Sequence, residues 1–104
     1  MSNSFVAIEV EVANSDCGSI CQIGVVSVEQ GEIVDEWQTL VDPGTPFTDR
    51  NIGIHGITVW DVESAPTFSG IYDVVLAKLA GQVVACHTMF DRRELRAACS
   101  IYRL

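Results

Sequence analysis

Two glutamates on one predicted strand are the residues in this sequence best spaced to act together. Glu9 and Glu11 stand two apart in the alternating run FVAIEVEV (Phe5–Val12), so a β-strand would place both side chains on one face. Their Cα atoms would lie roughly 6.6 Å apart. Carboxylates so placed can bridge two divalent cations, for which oxygen ligands favour Mg²⁺ or Mn²⁺. The same spacing also fits a half-exposed strand with glutamates on its solvent face.

A third carboxylate, Asp91, lies in the segment HTMFD, between an apolar strand pattern and a helical pattern. His87 would lie at the carboxyl end of that strand, where α/β folds place their ligands. Asp91 could complete a metal site with the two glutamates, or it could cap the helix that follows. The two roles are compatible.

Three strands would position the first two carboxylates. The run that holds both glutamates is the first, and a turn-rich segment (14–19) follows it. Ile20–Glu29 and Glu32–Val41 are predicted to form a hairpin joined at Gln30-Gly31. Asp42-Pro43-Gly44 then ends the third strand.

The second half of the chain favours helices. Residues 45–57 are predicted to form a long loop, and Thr58 with Asp61 predicts the capped start of a short helix. After Pro66, apolar residues at helical spacing predict a helix that Gly81 closes. Its buried face would consist of Phe68, Ile71, Val75 and Leu79.

Val83–Cys86 predicts a short buried strand, and Asp91 is predicted to open a last helix that ends near Arg103. The inward residues of that helix would be Leu95, Ala98, Cys99 and Tyr102. The order of elements predicts one domain over residues 1–104, with an antiparallel meander followed by helix–strand–helix in a mixed α/β sheet.

The charge balance restricts the function classes. The 104 residues include 14 acidic and 6 basic ones, for a net charge of −8. This argues against affinity for nucleic acid through phosphate neutralisation, but not against an enzyme whose carboxylates hold metal ions. Residues 88–104 hold four arginines against two acids, which fits either an anion-binding helix or a solvated helix face.

No apolar run approaches the ~18 residues of a membrane span, and the N-terminus lacks a signal-peptide pattern. A cytoplasmic protein without a membrane partner is therefore expected, with reduced cysteines. Cys17 and Cys21 are spaced one residue too widely for a CxxC zinc motif, and Cys86 and Cys99 fit core positions.

Four ordered blocks resemble the DEDDh 3′–5′ exonucleases, the family that includes the proofreading epsilon subunit of bacterial DNA polymerase III. The blocks are FVAIEVEVAN, CQIGVVSVEQGEIVDEW, NIGIHGIT and VVACHTMFDRREL. The resemblance implies a ribonuclease H-like fold and a two-metal site for Mg²⁺ or Mn²⁺. It also implies that the substrate is the single-stranded 3′ end of DNA or RNA, whose terminal phosphodiester is hydrolysed.

The resemblance carries over to individual positions. The first family motif, D-x-E-T, falls on residues 9–12, and the second ends at residue 91. The implied catalytic and metal-binding residues are Glu9, Glu11 and Asp91. The implied residues around the terminal nucleotide are His55, Val12 and Phe90. His55 taken alone could equally be a loop histidine with a local hydrogen bond.

Three departures from the family pattern predict negligible nuclease activity. Glu9 replaces an aspartate, and a carboxylate misplaced by ~1 Å can cost about a hundredfold in rate. Val12 replaces a threonine and lacks its hydroxyl. The third motif, with its general-base histidine and last aspartate, would lie beyond Leu104, and His87 belongs to the second motif. The chain would then be a piece of a longer enzyme or a degenerate member that lacks the last strand and helix.

Two other functions remain open at this level. A non-catalytic remnant could bind nucleic-acid ends or a protein partner. Without a fifth strand, Val83–Cys86 could also lie at an unprotected sheet edge and support a homodimer.

Overall fold

A computed structural model of the chain describes residues 4–86 and 89–101. Its elements, in order, are β1 (Phe5–Val12), β2 (Ile20–Glu29), β3 (Glu32–Leu40), α1 (Asp49–His55), α2 (Phe68–Leu79), β4 (Val84–Cys86) and α3 (Met89–Ile101). The sheet has the order β3-β2-β1-β4. β1 pairs antiparallel with β2 and parallel with β4, so the predicted mixed α/β sheet is confirmed.

The alternation in β1 buries one of its faces. Val6, Ile8 and Val10 are each at most 5% exposed, because α2 and α3 contribute apolar side chains to the same core. The buried members of this core are Val6, Ile8, Val10, Ile20, Ile23, Val25, Val41, Phe68, Ile71, Val75 and Ala98. Burying a valine- or isoleucine-sized side chain stabilises the fold by about 1.5–3 kcal/mol.

The segment between β3 and α2 differs from its prediction. α1 occupies part of the predicted loop, and its N-cap is Thr48, whose hydroxyl accepts the Asn51 N–H at 3.3 Å. The short helix predicted after Thr58 is wrong, because residues 59–64 form turns. The Thr58 N–H still donates to Asp61 Oδ2 at 2.8 Å, so the capping hydrogen bond forms although no helix follows it at residues 59–64.

The later elements confirm the predicted order but change several details. The predicted buried face of α2 is confirmed, with Leu79 packed at its margin, but the helix is capped by Ala80 rather than Gly81. α3 begins at Met89, two residues before the predicted start. Its predicted end at Arg103 and the inward Tyr102 lie outside the described residues.

β4 was predicted to be buried, and this is wrong. Val83 is 71% exposed and Val84 41% exposed, because β4 is a three-residue strand at the edge of the sheet. Within the two described ranges, no helix combines the length and apolarity needed to cross a membrane.

Candidate functional site

Asp91 lies where β4 stops pairing with β1. Its Oδ1 accepts the Val10 N–H at 3.0 Å, and the residue is only 5% exposed. The Val6 N–H donates to the Val83 carbonyl. Val6 and Val10 are an even number of residues apart, so their N–H groups point to the same edge of β1. The carboxylate therefore continues the hydrogen-bond ladder of β1 beyond Cys86. Asp91 lies inside the first turn of α3 and does not cap it.

The two glutamates of β1 line different hollows. Glu9 is exposed and lines an open hollow of about 420 Å³ on the sheet face, together with residues of β2 and β3 such as Gly24 and Gln38. Glu11 is half-buried and lines a separate cleft of about 220 Å³. The register of β1 against β2 shifts between Glu11 and Val12, so the strand is irregular beside this cleft.

This second hollow, which we call the β1 cleft, brings together four of the six site residues predicted from the sequence: Glu11, Val12, His55 and Phe90. Its full lining is Val10, Glu11, Val12, Asn51, Ile54, His55 and Phe90. They come from the end of β1, from α1 and from the first turn of α3. Asn51 and Ile54 were not predicted, because they lie in a helix whose pattern gives no periodic signal.

His55 is held in one tautomer by the backbone around it. Its Nδ1 accepts the Ile57 N–H at 2.9 Å, so Nε2 carries the proton and donates to the Val12 carbonyl at 2.8 Å. The two readings of this histidine are thus compatible: it makes a local hydrogen bond and it also lines the β1 cleft. Because both ring nitrogens already form hydrogen bonds to the backbone, His55 contributes contact surface to the cleft rather than a hydrogen-bond donor.

The predicted metal ligands do not form one group. Among the side chains of residues 4–86 and 89–101, no cluster of three or more His, Cys, Asp or Glu could hold a metal ion. Glu9 faces a different hollow from Glu11, and Asp91 uses Oδ1 to bind the backbone of β1. The assignment of Glu9, Glu11 and Asp91 as metal ligands stays a prediction. His87 lies outside the described residues.

A third hollow of about 280 Å³ adjoins the β1 cleft, and we call it the arginine pocket. Its lining is Val12, Asn14, Ser15, Cys17, Arg50, Asn51, Ile54, Phe90, Arg93 and Glu94. The two hollows have Val12, Asn51, Ile54 and Phe90 in common, so they adjoin each other along these residues.

The loop between β1 and β2 forms one wall of the arginine pocket, and hydrogen bonds hold it in place. The Asn14 side chain donates to the Pro46 carbonyl at 2.8 Å and accepts the Asp16 N–H at 2.8 Å. The Gly18 N–H donates to Oε1 of the buried Glu94 at 2.7 Å. The sequence predicted only turns here, because these partners are up to 76 residues away.

Cys21 is a buried thiol next to the β1 cleft, with its Sγ 3.9 Å from His55 Nε2. Burial, and secondarily the negative charge of Glu11, raises the pKa of Cys21 from 9.0 to about 12. The group is therefore a neutral core thiol and not an activated nucleophile.

This pKa predicts a loss of stability at alkaline pH. The unfolded thiol releases its proton above pH 9, whereas the folded one holds it until about pH 12. The stabilisation is therefore complete below pH 9 and is lost as pH rises towards 12, by about 1.4 kcal/mol per pH unit. Urea unfolding at pH 8, 9 and 10 should show a steeper decline for the wild type than for Cys21→Ala. Parallel declines would contradict this.

Comparison with known proteins places this arrangement among nucleases. A family model described as Exonuclease matches residues 6–102. The DNA polymerase III PolC-type proteins of Thermotoga petrophila and Thermotoga maritima are 31% and 30% identical to this chain over 96 residues. Each match covers 89% of this chain but 7% of the relative, so the chain spans a small part of those proteins.

Solved structures show the same fold. Exonuclease X in complex with 5′ overhanging duplex DNA superposes with a TM-score of 0.73 at 31% identity, over 86% of this chain and 52% of that one. A 3′-exonuclease solved in 3′-end-specific recognition of a histone mRNA stem-loop has a TM-score of 0.76 at 22% identity. That match covers 99% of this chain and 54% of the other, and shows the fold alone.

Proposed function

The chain belongs to the exonuclease family, and on that premise we propose that it is a 3′–5′ exonuclease-like domain that holds the 3′ end of single-stranded DNA or RNA in the β1 cleft. The observation that carries the proposal is the grouping of Glu11, His55 and Phe90 in one cleft, although they are distant in sequence. A structural relative at 31% identity was solved in complex with 5′ overhanging duplex DNA, which supports nucleic acid as the class of ligand.

The lining of the β1 cleft suits a terminal nucleoside. The Phe90 ring and the Ile54 side chain, which is 69% exposed, offer apolar surface for a base or ribose. The Glu11 carboxylate can accept a hydrogen bond from a 3′-hydroxyl, whereas it would repel a 3′-phosphate. The cleft should therefore prefer a hydroxyl-terminated strand.

Hydrolysis by this chain is proposed to be weak. Exonucleases of this family generally use divalent metal ions. Here the three expected ligands are divided between two hollows and a backbone hydrogen bond, so tight binding of two ions is not supported. Recognition of the end without cleavage is therefore the form of the proposal that the geometry favours.

We expect the wild-type chain with Mn²⁺ to leave a 5′-labelled single strand intact. We also expect it to bind a strand that ends in a 3′-hydroxyl more tightly than one that ends in a 3′-phosphate. Fluorescence anisotropy measures the binding, and gel electrophoresis measures the cleavage. Glu11→Gln keeps the shape of the side chain but removes its charge, so it should reduce the discrimination between the two ends about fivefold or more.

Two outcomes would contradict these expectations in different ways. A ladder that shortens from the 3′ end and is abolished by EDTA and by Glu11→Gln would show that Glu9, Glu11 and Asp91 suffice for catalysis. If the chain binds neither strand, the proposed function itself is contradicted. The homodimer through the β4 edge stays a prediction. Measuring the molar mass in solution at several protein concentrations would test it.

A further inference from the structure

The β1 cleft and the adjoining arginine pocket differ in the charges of their lining side chains. Glu11 lines the β1 cleft, while Arg50 from α1 and Arg93 from α3 line the arginine pocket. Among the salt bridges of the described residues, neither arginine takes part, and Lys78 with Asp35 forms the pair on another surface. Two guanidinium groups on one hollow are notable in a chain with a net charge of −8.

The surroundings of the arginines leave them able to bind an anion. Arg93 lies with its Cζ 5.9 Å from the centre of the Phe90 ring, which holds the guanidinium beside the wall shared by both hollows. The carboxylate in the arginine pocket, Glu94, is 3% exposed and directs Oε1 at the Gly18 N–H. Both arginines are exposed at the rim.

Guanidinium groups suit a phosphodiester better than a base. They stay charged at every physiological pH, and their planar donors match phosphate oxygens in pairs. A strand whose last nucleoside fills the β1 cleft can leave it across the shared wall of Asn51, Ile54 and Phe90. The arginine pocket adjoins the cleft at this wall and offers room for the rest of that strand.

We propose that Arg50 and Arg93 bind a backbone phosphate upstream of the terminal nucleotide, so that the domain measures at least two to three nucleotides of the strand. This inference rests on the proposed function and adds a second subsite to it. Phe90 then separates the terminal nucleoside from the one before it. Because the contact is to phosphate, it confers a length requirement and no base preference.

The test compares ligands of increasing length. Affinities of a nucleoside 5′-monophosphate and of di-, tri- and tetranucleotides with 3′-hydroxyl ends are measured for the wild type, Arg50→Gln and Arg93→Gln. We expect wild-type affinity to rise up to the trinucleotide. Each variant should lose about five- to tenfold for the trinucleotide and less than about twofold for the monophosphate. In the double variant, the slope of log K against log salt should fall by about 0.7.

Arg96→Gln is the matched control, since Arg96 is exposed on the same helix but lines neither hollow. Circular dichroism confirms that each variant is folded. An equal loss in Arg96→Gln, equal losses for the monophosphate and the trinucleotide, or no loss in the pocket variants would overturn the subsite while leaving end binding intact. A wild-type chain that binds none of the ligands would overturn the proposed function as well.

Discussion

Replacing Gly18 with alanine is expected to lower the free energy of unfolding by about 3 kcal/mol. Gly18 has a φ of +89°, where a side chain is strained. A Cβ at this position would lie 2.7 Å from Ile101 Cδ1 and 3.0 Å from both the Ala97 carbonyl carbon and the Ala98 nitrogen. The backbone of α3 cannot yield as a side-chain tip can, so the loop and the helix must separate. Urea unfolding measures the change.

Gly31→Ala separates the two causes of that loss. Gly31 has a φ of +80°, but in the described part of the chain no atom beyond its two sequence neighbours lies within 4 Å of the position of an added Cβ. Its substitution should therefore cost only the backbone strain, about 1–2 kcal/mol. If the two variants lose the same stability, the contact between Gly18 and α3 contributes nothing. The Gly18 variant should also disturb the arginine pocket, because Glu94 loses the alignment of its hydrogen bond to residue 18.

Asp91→Ala is expected to destabilise the protein by about 2–3 kcal/mol. The substitution removes the acceptor of the buried Val10 N–H and leaves that donor without a partner between β1 and α3. Urea unfolding measures the loss. Amide hydrogen exchange at Val10 should also speed up more than at Val6, whose N–H keeps its bond to Val83.

The control is Asp91→Asn, which keeps a side-chain oxygen for the Val10 N–H but removes the charge. Its stability should stay within about 1 kcal/mol of the wild type. An equal loss in both variants would show that the charge of Asp91, and not the hydrogen bond, stabilises this junction. The asparagine variant is therefore the suitable one for testing any metal-dependent cleavage, because a failure to fold would not confuse the result.

The strands could be predicted from the sequence because their signal is local. The observed bounds of β1 and β2 agree with the prediction, since alternating polarity and the Gln30-Gly31 turn act between neighbouring residues. The inward face of α2 follows in the same way from helical spacing. Burial of β4 could not be predicted, because the same apolar residues fit a central strand or an edge.

α1 and the missing helix after Thr58 show why a capping signal alone is insufficient. α1 buries no side chain and includes Gly53, so it carries no periodic pattern. Two hydrogen bonds connect it to the end of β1 and the residue that follows: the N–H of its cap Thr48 donates to the Ala13 carbonyl, and His55 donates to the Val12 carbonyl. At residues 58–61 the capping bonds form, but Trp60 is 77% exposed and no apolar face follows to stabilise a helix.

Motif order and alternation are properties of the chain, so the family, the mixed sheet and the kinds of residue that meet in the β1 cleft could be predicted without a structure. The folded chain was needed to show that Glu11 shares this cleft with His55 and Phe90, whereas Glu9 lines another hollow. Residues of α1 and Phe90 of α3 line the cleft beside the end of β1, whereas the hollow at Glu9 is lined by residues of β1, β2 and β3. Which carboxylates share a cavity depends on those distant contacts.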